Sequence, residues 1–216
     1  MDSRAWDERY AATELVWGEE PNRWVARETG SLPPGRALDL AAGEGRNSVW
    51  LAARGWRVTA VDFSAVALER GRRLAARQPS GTADRVTWVA ADLTGYRPEP
   101  GAYDLLLVVY LHLPAGQRRT VLRRAARAVA AGGTLLVVGH DSVNLTEGIG
   151  GPRDPGVLFT PGDVLADTVG EAVGQESVPD LETVRAERVR RPVTGPDGEP
   201  AEAVDALVRL RRPPAR

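Results

Sequence analysis

Residues 36–64 read RALDLAAGEGRNSVWLAARGWRVTAVDFS, and the order of signals within them decides the fold. Leu38, Leu40 and Ala41 lead into a turn made by Ala42, Gly43, Glu44 and Gly45. Arg46 to Arg54 then carries Val49, Trp50, Leu51 and Ala53 at spacings that suit a short buried helix. Gly55 closes it, because glycine readily takes the left-handed conformation that ends a helix. Val58, Ala60 and Val61 form a second apolar run that stops at Asp62. Parallel strands joined by a helix make a right-handed crossover, so both strands open on one edge of the sheet. That edge is expected to hold two carboxylates, Asp39 and Asp62, beside backbone bared by glycine.

Such an edge suits a nucleotide-like ligand. A turn without Cβ atoms lets a ligand lie against the chain, and the helix that follows offers unpaired N–H groups at its positive end. Asp62 stands 17 residues after Gly45, close to the ~20-residue offset at which an acid on the second strand takes a ribose diol. A nicotinamide enzyme is the competing reading. Gly43-x-Gly45-x-x-Ser48 is one glycine short of the dinucleotide fingerprint, and that fold gives Asp39 no duty. A P-loop is poorer, since no Gly-Lys-Ser/Thr follows the turn.

The string Leu38-Asp39-Leu40-Ala41-Ala42-Gly43-Glu44-Gly45 resembles the first motif of class I S-adenosylmethionine-dependent methyltransferases, with Ala41 where a first glycine is common. The fuller AAGEGRNSVWLA, with WDERY and WGEEPN upstream, is similar to their tellurite-resistance and thiopurine-type branch. The likeness covers about the first 140 residues well and the rest in layout. It implies an α/β fold: a three-layer Rossmann-like sandwich around a mostly parallel seven-stranded sheet, order 3-2-1-4-5-7-6, with an antiparallel C-terminal hairpin. It also implies S-adenosyl-L-methionine as methyl donor, leaving as S-adenosyl-L-homocysteine. Asp39, Ala41, Gly43, Arg46 and Phe63 would lie along the donor, Asp62 at its ribose, Asp92 and Leu93 at its adenine, and Tyr110 beside it. The segment 1–30, which holds three of the six tryptophans, would fold over the donor as a helical lid. Tyr10 and Trp17 would then meet the sulfonium, where a cation–π contact is worth ~0.5–2 kcal/mol.

The rest of the chain fits one domain over 1–216, long enough to bury a sizeable core. Charge is balanced, 28 basic against 29 acidic residues, so no global field draws the protein to nucleic acid or anionic lipid. Neither a signal peptide nor an 18-residue apolar run is seen, which suggests the cytosol. With no cysteine, disulfides, thiolate metal sites and a cysteine nucleophile are excluded. His112 and His140 alone do not make a metal site by their spacing.

Ser64 is a cap for a helix to about Gln78 whose inner face is Val66, Ala67, Gly71, Leu74 and Ala75. Val86 to Ala90 reads as a third strand, and Tyr103 to Val109 as a central parallel strand buried on both faces. A helix is expected over 115–131, its outer face carrying Arg118, Arg119, Arg123, Arg124 and Arg127 as a solvated charge run. Gly132-Gly133 would stop it, with a fifth strand from Thr134 to Gly139. Residues 140–159 have neither period and hold four glycines, so they read as an acceptor-side loop; His140, Asp141 and Asn144 are candidate substrate contacts. Thr160-Pro161-Gly162-Asp163 is a helix start. Leu181–Arg190 and Ala203–Leu210 read as two strands around GPDGEP, each with one wet face.

Tyr110-Leu111-His112-Leu113-Pro114 follows the central strand where DNA and protein amino-methyltransferases of the resembled family show Asn/Asp-Pro-Pro-aromatic, which argues against those substrates. His112, with an ordinary pKa near ~6.5, is the candidate general base and a substrate contact. The expected partner is a small-molecule acceptor bearing a thiol, metalloid oxyanion, amine or hydroxyl, with no nucleic acid and no membrane, the protein a monomer or homodimer. A donor-binding module without chemistry and an RNA methyltransferase using the arginine helix are the other readings.

Overall fold

The computed structural model describes residues 18–168 and 178–215. Tyr10, Trp17 and most of the expected lid lie outside them. Helices α1 (Arg23–Thr29), α2 (Arg46–Ala53), α3 (Ala65–Ala76), α4 (Ala115–Ala128), α5 (Asn144–Glu147) and α6 (Pro161–Thr168) accompany strands β1 (Arg36–Leu40), β2 (Arg57–Asp62), β3 (Val86–Ala90), β4 (Tyr103–Val109), β5 (Val129–His140), β6 (Glu182–Thr194) and β7 (Pro200–Arg211). The seven strands form one sheet in the order β3-β2-β1-β4-β5-β7-β6. It is the order the sequence led us to expect, and it is not the 3-2-1-4-5-6 of the dinucleotide fold.

The chain gathers into two compact units. One runs through Arg97 and takes in Ala102–Leu107; the other is Pro98–Gly101 with Val108 onward. In the first, β1, β2 and β3 pair in parallel, with Ala37, Leu38, Val58, Ala60 and Val61 almost fully buried. Asn22 caps α1 by accepting from the Trp24 and Val25 N–H groups, and its own N–H donates to Asn47 Oδ1 at 2.8 Å. Ser64 caps α3 as expected, accepting from Ala67 N–H at 3.1 Å.

In the second unit β7 pairs antiparallel with both β5 and β6. Having a strand on each side, β7 is buried from Ala203 to Val208 without interruption. The wet face expected of both hairpin strands belongs to β6 alone, which is at the sheet's edge. The fourth helix ends at Ala128, earlier than Gly132-Gly133 would suggest, because Val129 already takes extended backbone (φ −66°, ψ 125°) and opens β5. Thr160 and Asp163 form the expected capping box: Thr160 N–H donates to Asp163 Oδ2 at 2.8 Å and Asp163 N–H to Thr160 Oγ1 at 3.2 Å.

The arginine face of α4 is less open than its sequence suggests. Arg118 is buried and its Nε lies 2.7 Å from Asp167 Oδ2, while Arg119 Nε meets the other oxygen at 3.0 Å. Asp167 sits on α6, 1 % exposed, so both guanidinium groups are spent on holding α6 to α4. The stretch 140–159 is likewise more structured than a loop, with α5 and a 3-10 turn over Pro155–Val157.

Candidate donor site and acceptor-side cluster

In the first unit, the chain leaves β1 through Ala41 at φ 63°, Gly43 at φ 55° and Gly45 at φ 72°. Ala41 stands where a glycine would be at ease, so the turn holds an L residue in the left-handed region at a cost of ~1–2 kcal/mol. Ala42 N–H donates to Val61 O at 3.1 Å, carrying the β1–β2 pairing one step past the strand end. Gly45 occupies the cap position of α2. A Cβ at Gly45 would lie 2.4 Å from the Trp88 ring, and one at Gly71 equally close. Gly45 is therefore a glycine because Trp88 packs under the turn, a reason that its place in the motif did not reveal.

Both acids sit at the strand ends, buried to 1 % (Asp39) and 3 % (Asp62) exposure. Asp62 accepts from Gly43 N–H at 2.8 Å through Oδ2 and from Ser64 N–H at 2.9 Å through Oδ1. It thus shapes the turn. Asp39 accepts from Ser48 Oγ at 2.7 Å through Oδ2. Its Oδ1 is buried and has no hydrogen-bond partner among the described residues. Burial, reinforced by the charge of Asp62 and opposed by Ser48 and Arg46, raises the Asp39 pKa from 3.8 to about 7. A buried acceptor with nothing to accept invites a cationic or N–H-bearing ligand group.

The other expected donor contacts divide. Phe63, next to Asp62, presents its ring to solvent at 38 % exposure, unusual for a large apolar side chain here. Asp92 is exposed and its Oδ1 takes the Thr94 N–H at 2.8 Å, a turn role. Leu93 is buried. Glu44, 2 % exposed, pairs with Arg70 of α3 at 3.1 Å and ties the turn down. Ser48 and Glu44 were missed as supports because each acts on a partner in another element. Among the described residues no group of three or more His, Cys, Asp or Glu can hold a metal ion, and no helix is long and apolar enough to cross a membrane.

In the second unit, Tyr110, His112 and His140 cluster with Phe159. Tyr110 leaves β4 at φ 56°, a second left-handed non-glycine residue. His140 lies 5.0 Å from the Tyr110 ring and stacks on His112 at 5.4 Å. His112 Nε2 faces the His140 backbone N–H at 3.3 Å and accepts from it. Burial, with His140 beside it, pushes His112 down from 6.5 to about 3, against upward pulls from Asp205 and the Tyr110 backbone. Asp141, 0 % exposed, accepts from Val143 N–H at 3.0 Å and pairs with Arg188 of β6 at 2.9 Å. Asn144 donates to Gly150 O at 2.8 Å and accepts from Val204 N–H at 2.7 Å. Both side chains are engaged in holding α5 and its loop on the hairpin.

Asp205 of β7 was not foreseen. It is fully buried, accepts from Tyr110 O–H and from Arg191 Nε, each at 2.9 Å, and places Oδ1 3.5 Å from His140 Nδ1. A signal was available: an acid set among Ala203, Val204, Ala206 and Leu207 interrupts an apolar run.

Comparison with known proteins agrees with this geometry. Residues 37–133 match the family described as methyltransferase domain. A demethylmenaquinone methyltransferase of Clavibacter sepedonicus is 34 % identical over 124 residues, 57 % of this chain and 47 % of that one, so the match spans about half of the relative's length. The N-methyltransferase NodS from Bradyrhizobium japonicum WM9, solved with S-adenosyl-L-homocysteine, superposes with a TM-score of 0.69 over 99 % of this chain and 100 % of its own, at 19 % identity. TehB from Haemophilus influenzae gives 0.69 over 89 % and 62 %, at 15 % identity. Residues 37–133, a little under half of the chain, are thus similar to a methyltransferase domain, and the solved structures share the fold of the chain.

Proposed function

We propose that the protein transfers a methyl group from S-adenosyl-L-methionine to a small-molecule acceptor. The observation that carries the reading is the edge formed by β1 and β2, where Asp62 fixes a left-handed turn and Asp39 keeps a buried oxygen with no partner among the described residues. Asp62 suits the ribose diol, Phe63 the flat base, and Asp39 the cationic amino-acid end. The donor, when bound, supplies an electrophilic methyl on sulfonium. The protein's share is to hold the acceptor in line with it, an alignment worth up to ~7–11 kcal/mol of barrier.

The acceptor is proposed to be taken by the residues that follow β4 and β5, Tyr110 to His112 and His140. TehB and NodS superpose with the same TM-score, so the tellurite-resistance and thiopurine-type likeness of the turn favours no one acceptor. The names of two relatives, the demethylmenaquinone methyltransferase and a glycine N-methyltransferase of Oryctolagus cuniculus, point to quinone-ring and amine acceptors, which adds phenolic and amino compounds to thiols in a first screen. Incubating the protein with methyl-labelled donor and such a panel tests the reading: label moving into one acceptor class is expected. Retention of all label on a donor that the protein demonstrably binds would contradict it.

A further inference from the structure

Within the first unit, the starts of β1, β2 and β3 meet at the end of the sheet opposite to the donor turn. Arg36 and Arg57 are Cα partners in the β1–β2 pair, and Arg85 immediately precedes Val86, the partner of Val58. Adjacent strands lie ~4.8 Å apart, so the three arginines form one row across three strands. Residues of one row in a parallel sheet share a face. Thr59 and Thr87, themselves partners, stand on that face two residues further along.

The other face is covered. Trp88 packs there with Val49 of α2 and Leu74 of α3. On the arginine face the connection from β3 to β4, residues 91–102, runs as turns and irregular chain. Thr87 is exposed and Thr59 half-buried, and the arginines rim a cavity of about 310 Å³. That volume is at the small end for a ligand site.

Its charge is one-sided. Among the described residues the lining sets Arg36, Arg57 and Arg85 against a single carboxylate, Asp84. Asp104 uses Oδ2 to accept from the Arg36 backbone N–H at 2.8 Å. Arg85 Nη1 donates to Gly81 O at 2.9 Å, one of the five N–H donors of a guanidinium, so the group is held in place with donors to spare. Arg36 lies over the Tyr103 ring at 5.2 Å, and Tyr103 is buried. The described lining therefore offers a nucleobase nothing to stack on.

We propose that this cavity binds a small dianionic oxyanion, a phosphoryl group or a paired carboxylate, at a site separate from the donor edge. Guanidinium forks meet such oxygens through pairs of charge-assisted hydrogen bonds, and the two threonine hydroxyls supply neutral donors beside them. A cleft lined by one sign of charge concentrates the opposite ion. Arg57 opens and Asp62 closes β2, a strand of 6 residues, which at ~3.3 Å per residue sets the two sites ~16 Å apart. Anion and donor are therefore bound without competition.

Calorimetry with inorganic phosphate and, separately, succinate, each at an ionic strength matched with chloride, tests the assignment. One anion per chain is expected, and the tighter of the two tells a phosphoryl site from a dicarboxylate site. Arg57→Gln is expected to weaken binding about threefold and Arg57→Gln/Arg85→Gln at least about tenfold. Asp62→Asn and added S-adenosyl-L-homocysteine should leave it unchanged. Without anion, both arginine variants should melt no lower than wild type, since like charges in a row are relieved; phosphate should raise the melting temperature of wild type and not of the double variant. Binding no stronger than that of chloride, binding that survives the double substitution, or displacement by S-adenosyl-L-homocysteine would overturn the site. So would a short RNA held by these arginines while both small anions are ignored, which would make the row a nucleic-acid surface.

Discussion

Asp39 carries the sharpest prediction at the scale of a single residue. Its pKa is raised from 3.8 to about 7, chiefly by burial. Between those pH values the folded chain keeps a proton that the unfolded chain has already released, so this group's contribution to stability falls as pH rises through the window. Asp39→Asn keeps the size and the Ser48 partner while removing the charge. Thermal melts at pH 8 without ligand are expected to show the variant about 2–4 °C above wild type, as for ~1 kcal/mol in a chain this size. Calorimetry should show S-adenosyl-L-homocysteine binding weakened at least about tenfold. Gains and losses of the same sign in both measurements would contradict a carboxylate kept for a ligand. Ala41, at φ 63°, gives a second test. Ala41→Gly relieves ~1–2 kcal/mol of backbone strain against ~0.5–1 kcal/mol of unfolded-state entropy, so its midpoint in urea should not fall. Ala41→Val should fall clearly, since a β-branched side chain fits the left-handed region badly.

Between elements, the contacts that matter most are those the sequence conceals. Gly71 lies inside α3, where Gly→Ala normally gains ~1 kcal/mol. Here the added Cβ would meet Trp88 at 2.4 Å and Glu44 O at 3.1 Å, so Gly71→Ala is expected to cost ~1–3 kcal/mol by overpacking. The loss should be partly recovered with Trp88→Leu, and additive losses in a double-mutant cycle would contradict the close approach. On α4, Asp167→Ala strands the buried Arg118 and is expected to cost ~3–5 kcal/mol in urea melts; a loss under 1 kcal/mol would show the pair to be solvated. The same contrast explains what could be read in advance. β1 to β4 and the turn between β1 and β2 were legible because glycine placement, apolar runs and the acids at strand ends are local signals. The bonds of Asp205 to Tyr110, 95 residues away, and of Asp167 to Arg118, 49 residues away, leave no periodic trace. Hence the arginine face read as solvated, and Asp205 went unnoticed. Asp62 was legible as an acid at the right offset, but not as the clamp on Gly43 and Ser64.

For the whole molecule, the strand order β3-β2-β1-β4-β5-β7-β6 and the likeness of residues 37–133 to a methyltransferase domain support the proposed function. A ligand that binds only the folded chain raises its melting point by mass action, by ~2.7 kcal/mol at 100 times the dissociation constant. The measurement that bears most directly on the account is calorimetric titration of the protein with S-adenosyl-L-homocysteine and, separately, with NADH, on wild type and on Asp62→Asn. The account predicts one-to-one binding of S-adenosyl-L-homocysteine, weakened at least about tenfold in the variant as charge-assisted bonds of ~1.5–3 kcal/mol are lost, and no heat with NADH. Binding of NADH alone, or S-adenosyl-L-homocysteine binding indifferent to Asp62, would contradict it.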